Sequence, residues 1–282
     1  MGGGSAIDVA KCIKLFSNMD PERNYLRQTI VPNGLPLIAM PTTAGTGSEA
    51  TRFAVIYDQG AKQSISDPSC IPSTVIFDAS VLKTLPVYQK KSTMLDALCH
   101  AVESMWSVNS TAESKEHAVS AIRLLLHHLD GYLANEDDAN AAMMLAANEA
   151  GKAINITQTT AGHAMCYKLT SLYGVAHGHA AALCVRKLWP WMLEHTDRCI
   201  DPRGETYLRS VFDELAAAMN VPTAADAAAL FEQLFDRLQL PVPELKEETL
   251  PVLAASVNPV RLKNHPVSLD GSIETLYRTI LR

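Results

Sequence analysis

Residues 92–106, STMLDALCHAVESMW, are apolar at helical spacing and carry two metal-binding types of side chain, Asp96 and His100. Leu95 and Leu98 belong to the apolar positions, so the pattern predicts a largely buried helix. Asp96 and His100 stand four positions apart, which places them one turn apart on the same helix face. A buried carboxylate is costly unless it is paired or binds a metal. The segment therefore indicates either a metal site or a buried ion pair.

Three further histidines favour the metal. His163, His177 and His179 all lie in apolar surroundings. One carboxylate with two or three imidazoles is the ligand set of a catalytic Zn²⁺ or Fe²⁺ site that keeps one coordination position open. On the residues alone, an ordinary capping or salt-bridging role for Asp96 and His100 remains the alternative.

The character of the chain changes after Pro86. Before it, short apolar runs bounded by turn residues predict strands, and after it Ala- and Leu-rich segments repeat at helical spacing. A mixed α/β part at residues 1–86, followed by an all-helical part at residues 87–282, predicts two domains with a cleft between them. The predicted strands are 35–40, 54–57, 62–66 and 74–77, with a hairpin turn at 58–60. The predicted helices are 6–16, 92–106, 114–133, 139–156, 178–193, 204–219 and 224–238.

Two glycine-rich segments suit a phosphate-bearing ligand. Gly2-Gly3-Gly4-Ser5 leads directly into a predicted helix, whose backbone N–H groups and positive end favour an anion. A flexible terminus or a linker is the alternative, since only Met1 precedes this loop. Residues 41–49, PTTAGTGSE, follow a predicted strand, which is where open α/β sheets bind ligands. An ordinary polar loop with a helix cap is the alternative there.

The composition excludes several classes of protein. Hydrophobic residues make up 48% and charged residues 19% of the 282 positions, which excludes a disordered chain. The net charge of −6 gives no indication of a nucleic-acid or membrane partner. The 6 cysteines lack CxxC spacing, so we expect reduced thiols and a cytoplasmic location. No signal peptide or membrane-spanning segment is expected.

Four ordered motifs together resemble the iron-containing (group III) alcohol dehydrogenase family. Residues 2–11, GGGSAIDVAK, resemble its phosphate loop, and residues 41–49 resemble its cofactor loop. Residues 96–103, DALCHAVE, resemble its metal helix, and His163 and His177 have the spacing of its further metal ligands. The resemblance implies a dehydroquinate synthase-like fold, with an incomplete dinucleotide-binding α/β part and a helical metal-binding domain. It also implies a metal-dependent, NAD(P)-linked alcohol dehydrogenase or aldehyde reductase.

The resemblance also implies roles for individual residues. The implied metal ligands, for Fe²⁺ with Zn²⁺ as the alternative, are Asp96, His100, His163 and His177. The implied contacts to NAD or NADP are Gly3, Gly4 and Ser5 at the pyrophosphate, Thr42 and Thr43 at the nicotinamide half, and Lys62 near a ribose. Asp8 stays open between a cofactor contact and a structural bond. Many members carry a proton-relaying histidine where this chain has Tyr167, which leaves Tyr167 and His179 as catalytic candidates.

Besides Tyr167, the sequence differs from the family pattern in a second way. The opening strands that precede the glycine loop in the family are absent. One alternative is therefore a truncated dehydrogenase that keeps the metal site but binds cofactor poorly and self-associates through exposed edges. Another is a metal-dependent hydrolase, which would leave both loops without a role. The resemblance itself implies a small alcohol or aldehyde substrate and a homo-oligomer, commonly a dimer.

A narrower likeness concerns residues 163–174, 257–259 and 261–264. These segments are similar to the branch of the family that reduces phosphonoacetaldehyde to 2-hydroxyethylphosphonate. A phosphonate dianion needs cationic or N–H partners. The candidates are Lys168, Arg261 and Lys263, for each of which a role as surface charge is the alternative.

Overall fold

A computed structural model describes residues 1–58 and 61–282 of the chain. Within these residues, the first part holds one α-helix and two small sheets, and the second part consists of packed helices, so the predicted fold class is confirmed. The elements of the first part are α1 (Gly4–Phe16), β1 (Ile38–Ala39), β2 (Phe53–Asp58), β3 (Ala61–Ser66) and β4 (Thr74–Val75). Strands β1 and β4 pair in parallel, and β2 and β3 form an antiparallel pair.

The second part is built around one buried helix, α2 (Val87–Trp106), which packs against four of the helices named below. Every residue from Met94 to Trp106 is buried, which accounts for the apolar pattern of this segment. The remaining helices are α3 (Ala112–Leu133), α4 (Asp137–Thr157), α5 (Ala161–Tyr173), α6 (His177–Glu194), α7 (Glu205–Ala218), α8 (Ala224–Arg237), α9 (Leu250–Ala255), α10 (Pro259–Leu262) and α11 (Ile273–Ile280).

The strand predictions were too long at two places. Predicted strand 35–40 is reduced to Ile38–Ala39, and predicted strand 74–77 to Thr74–Val75. In the described part of the chain these two strands pair with each other at two positions, Ile38 with Thr74 and Ala39 with Val75. The predicted turn includes residues 59–60, which lie outside the described residues, while the strands on either side of it do pair.

The division at Pro86 stays a prediction. Ala44 and Leu82, from the first part, pack into the same hydrophobic core as the helices, so the two parts are in contact. All 6 cysteines carry reduced thiols. Within the described residues, no helix combines the length and the apolar character that a bilayer crossing requires.

A glycine sets the distance between the two helices that matter most for the site. Gly178 lies at the start of α6, next to His177, and faces α2. A Cβ atom added at Gly178 would lie 2.1 Å from the carbonyl oxygen of Ser92 and 2.6 Å from Cβ of Asp96. Only glycine permits this approach, which holds His177 beside the metal-binding face of α2.

Candidate metal and cofactor site

Helices α2, α5 and α6 bring four of the predicted residues together. Ligand atoms of Asp96, His163 and His177 all lie within 4.8 Å of one another. Oδ1 of Asp96 lies 3.4 Å from Nε2 of His163 and 3.8 Å from Nε2 of His177. His100, one turn along α2, has its Nε2 3.9 Å from the same oxygen, and its ring stacks on His163 at 4.5 Å. The three predicted histidine ligands therefore face one carboxylate oxygen of the fourth predicted ligand, Asp96.

This cluster fits a divalent metal. Asp96 and His163 are buried, yet Oδ1 of Asp96 and Nε2 of His163 have no hydrogen-bond partner in the described part of the chain. Buried polar atoms are almost always paired, so converging atoms of this kind suit a bound cation. One carboxylate with three imidazoles matches the donor set that Fe²⁺ and Zn²⁺ accept.

The pKa values show how a proton competes with the metal. Burial raises the pKa of Asp96, but the attraction of His100, His177 and His163 outweighs burial and holds the carboxyl well below its usual range. Burial lowers the pKa of His100 to about 4, so this ring is neutral at pH 7. Burial alone would also lower the pKa of His163. The negative charges of Glu103 and Asp96 outweigh burial and raise the pKa of His163 to about 9. A metal must therefore displace a proton from His163.

Glu103 fixes the orientation of His163 and is the residue that sequence reasoning left without a role. Its carboxylate is fully buried, and Oε2 is hydrogen-bonded to Nδ1 of His163. Oε1 accepts hydrogen bonds from the backbone N–H of Thr160 at 3.1 Å and from its hydroxyl at 2.5 Å. With Nδ1 bound in this way, Nε2 is left to face Asp96. The signal was present in the spacing, since positions 96, 100 and 103 share one face of α2.

Replacing Glu103 by glutamine should weaken metal binding by about 10–100-fold, because partners that orient a ligand have effects of this size. The amide oxygen of the glutamine can still accept the hydrogen bonds from Thr160. The negative charge beside Nδ1 of His163 is lost. Titration of the apoprotein with Zn²⁺ measures the change. Glu149→Gln is the matched control, because Glu149 is hydrogen-bonded at 2.6 Å to a remote histidine, His117. Equal metal affinity in the two variants would contradict the role given to Glu103.

The metal cluster and the end of the glycine loop line one cleft of about 810 Å³. Gly4 and Ser5, at the start of α1, line this cleft together with Thr46 and Ser48. A Cβ atom at Gly4 would lie 2.7 Å from Oγ1 of Thr46, so glycine is needed for the two loops to meet. No side chain caps the N-terminus of α1 in the described residues, and its N–H groups suit a dinucleotide phosphate.

The other predicted cofactor contacts have different positions. Gly3 is the N-cap of α1, and a Cβ there would lie 3.3 Å from Cγ2 of Thr43. The N–H of Thr42 donates to the carbonyl oxygen of Gly2 at 3.0 Å. Thr42 and Thr43 thus hold the glycine loop, and neither lines the described cleft. The side chain of Lys62 lies outside the described residues, so its predicted role stays a prediction.

Asp8 ties the cofactor end of the cleft together. Oδ1 accepts a hydrogen bond from Oγ of Ser48 at 2.5 Å, and Oδ2 accepts one from the N–H of Val55 at 2.9 Å. One carboxylate therefore joins α1, the second glycine-rich loop and β2. Of the two roles left open for Asp8, the structural bond is the one observed.

The two catalytic candidates lie in different environments. Tyr167 lines the cleft, and its ring stacks on His177 with 5.5 Å between centroids. Burial raises the pKa of the Tyr167 phenol well above its usual range, more than Arg261 lowers it, so the phenol is neutral. His179 is fully buried, with Nδ1 3.1 Å from the Tyr88 hydroxyl, and lies outside the cleft lining. The geometry gives no support to a proton relay through His179, because its ring is part of the helix packing.

A glycine loop and a cluster of metal-ligating side chains open into one cleft, and this combination defines a metal-dependent oxidoreductase. Residues 1–79 match the profile of iron-containing alcohol dehydrogenases. Residues 90–279 match the C-terminal profile of the Fe-containing alcohol dehydrogenase family. The chain therefore belongs to the iron-containing alcohol dehydrogenase family. The relatives that it resembles are named as alcohol dehydrogenases or as aldehyde reductases.

Three relatives align with nearly the whole length of this chain. It is 34% identical over 287 aligned residues to phosphonoacetaldehyde reductase of Streptomyces viridochromogenes, covering 96% of this chain and 72% of the relative. It is similar to sulfoacetaldehyde reductase of Bifidobacterium kashiwanohense in complex with NAD⁺, with a TM-score of 0.87, 26% identity and coverage of 100% and 75%. It is also similar to the iron-containing alcohol dehydrogenase of Thermococcus thioreducens, with a TM-score of 0.90, 26% identity and coverage of 100% and 76%.

Proposed function

We propose that this chain reduces a short-chain aldehyde to its primary alcohol, using NAD(P)H and a divalent metal held by Asp96, His100, His163 and His177. The observation that carries the proposal is the cleft itself, which joins these side chains to the glycine loop at the start of α1. The implied metal is Fe²⁺, with Zn²⁺ as the alternative, and the implied substrate is phosphonoacetaldehyde.

When bound, a divalent metal supplies Lewis-acid polarisation of the carbonyl oxygen, and NAD(P)H supplies the hydride. The first N–H groups of α1, with Gly4 and Ser5, bind the dinucleotide phosphates. Asp8 keeps this loop at a fixed position relative to the hairpin of β2 and β3. Tyr167 keeps its phenol proton and lies in the wall beside His177, where its hydroxyl could donate a hydrogen bond to the carbonyl oxygen of a bound aldehyde. The protein's part in the reaction is alignment and the exclusion of water.

The experiment that tests this function measures metal and turnover on one sample. The apoprotein is loaded anaerobically with Fe²⁺ or with Zn²⁺, and bound metal is determined by elemental analysis. NADH and NADPH oxidation is then followed with phosphonoacetaldehyde as substrate. We expect one metal per chain and aldehyde-dependent oxidation. Bound metal without oxidation of either cofactor would overturn the proposal in favour of a chain that holds the metal but does not use the cofactor.

The glycine loop offers a selective test of cofactor binding. Gly4→Ala should raise the KM for NAD(P)H by about tenfold, roughly 1.4 kcal/mol, because the added Cβ pushes the start of α1 away from Thr46. Metal affinity should stay at the wild-type value, since Gly4 belongs to α1 whereas the predicted metal ligands belong to α2, α5 and α6. Steady-state kinetics and a Zn²⁺ titration check the two halves of this prediction. A parallel loss of metal binding would show that the substitution acts on the fold rather than on the cofactor.

The implied homodimer stays a prediction, which size-exclusion chromatography with light scattering can check.

A further inference from the structure

The charges that line the described part of the cleft are few and unevenly placed. Among the described residues, the acidic side chains that line the cleft are Asp8 and Asp96. The only basic side chain of the lysine or arginine type there is Arg261. Asp8 is engaged by Ser48 and Val55, and Asp96 faces the histidines. Arg261 forms no ion pair in the described part of the chain. Among the described residues, the cleft therefore contains one guanidinium that has no acidic partner.

The guanidinium of Arg261 is positioned by two contacts. Its Nη1 donates to Oγ1 of Thr159 at 2.7 Å, and its Cζ lies 5.3 Å from the centroid of the Tyr167 ring. This is the one side-chain hydrogen bond of Arg261 among the described residues. A guanidinium has five N–H donors in a planar fork that matches oxyanions. Most of these donors are therefore available to a ligand in the cleft.

The segment that carries Arg261 is fastened to the wall of the metal site. Nδ2 of Asn264 donates to the carbonyl oxygen of Thr159 at 3.3 Å and to Oε1 of Gln158 at 3.5 Å. Gln158 itself has a φ of 59°, a left-handed conformation that a non-glycine residue holds only when its surroundings require it. The link between α4 and α5 and the segment of α10 thus form one fixed wall, and Arg261 projects from it.

The ring of Tyr167 lies beside both Arg261 and the metal cluster. One ring contacts both the guanidinium of Arg261 and the imidazole of His177. Both groups lie within 5.5 Å of the centroid of this one ring, so a substrate that places its carbonyl oxygen at the histidines and a second group at Arg261 must be short. A two-carbon aldehyde with a terminal oxyanion has this form, and phosphonates and sulfonates bind arginine through paired hydrogen bonds.

We infer that Arg261 forms an anion-binding subsite in the substrate end of the cleft and selects aldehydes that carry a phosphonate or sulfonate group. This inference rests on the proposed aldehyde reduction and adds the residue that sets its specificity. Of the three cationic candidates named from the sequence, Arg261 lines the cleft, whereas Lys168 and Lys263 do not.

The test compares two aldehydes of one shape on the metal-loaded enzyme. Phosphonoacetaldehyde carries the anion, and 3,3-dimethylbutanal replaces it with a neutral tert-butyl group. Arg261→Gln should raise the KM for phosphonoacetaldehyde by about 10–100-fold, since hydrogen bonds to charged groups contribute on this scale. The kcat for phosphonoacetaldehyde and the KM for 3,3-dimethylbutanal should stay near the wild-type values. Arg261→Lys, which keeps the charge but loses the planar fork, should give an intermediate KM.

Binding without turnover provides the second measurement. Calorimetric titration with ethylphosphonate, which has no aldehyde, should show the same 10–100-fold loss of affinity in Arg261→Gln. Arg123→Gln, at an exposed arginine on α3, is the matched control and should change neither quantity. Equal loss with both aldehydes, or an unchanged affinity for ethylphosphonate, would overturn the subsite. If the wild type reduces neither aldehyde, the proposed function fails, while the titration still decides the subsite.

Discussion

Replacing His163 by alanine is expected to remove tight metal binding and to reduce aldehyde turnover by about a thousandfold. Metal polarisation of a carbonyl contributes several kcal/mol to a transition state, and about 4 kcal/mol corresponds to a thousandfold in rate. Nε2 of His163 lies 3.4 Å from Oδ1 of Asp96, the shortest approach among the three histidines that face this oxygen. Elemental analysis and steady-state kinetics of the reloaded variant measure the two effects.

Two further variants separate loss of the metal from loss of the fold. Asp96→Asn keeps the volume of the side chain but removes the charge that the histidines face, so it should lose the metal with little change in packing. His117→Ala removes a histidine that bonds Glu149 away from the cleft, and it should keep full metal content. Circular dichroism should show the same helix content in all three proteins. One metal per chain and turnover within tenfold of wild type in His163→Ala would contradict the ligand assignment.

Sequence spacing was sufficient for the part of the site that lies on one helix. Asp96 and His100 share a face because the period of a helix is local, and the apolar residues between them correctly indicated that α2 is buried. Spacing alone could not bring His163 and His177 to that face, since they lie on α5 and α6. Their positions depend on how three helices pack, and it was the resemblance to a family that indicated the grouping.

The predictions that differ from the structure have local physical reasons. Helix α5 gave no amphipathic signal because its first six residues, from Ala161 to Cys166, are all buried, so polar and apolar faces do not alternate. The cofactor contacts predicted for Thr42 and Thr43 stay predictions, and the structure adds that the backbone of Thr42 bonds the glycine loop and that Thr43 lies against Gly3. Glu103 was visible in the motif, but its bond to His163 joins α2 to α5 and cannot be read from either segment alone.

Gly178→Ala is expected to lower the free energy of unfolding by about 1–3 kcal/mol and to weaken metal binding by more than tenfold, because overpacking of a tight contact costs on this scale. The added Cβ would meet the carbonyl oxygen of Ser92 at 2.1 Å and the backbone nitrogen of Asp96 at 3.0 Å. These are backbone atoms of a buried helix, so α6 must move outward. His177 is the neighbouring residue and moves with it, away from Oδ1 of Asp96. Urea denaturation and Zn²⁺ titration measure the two effects.

The sign of this stability change makes the test decisive. Alanine is a better helix former than glycine by about 1 kcal/mol, so propensity alone predicts that Gly178→Ala stabilises α6. Only the close approach of α6 to α2 reverses that sign. Gly34→Ala is the matched control, because a Cβ there meets nothing within 4 Å, and it should leave unfolding and metal affinity at the wild-type values. A Gly178→Ala protein that is more stable than wild type and keeps its metal would show that the helices are not in contact at this glycine, and the position of His177 would then need another cause.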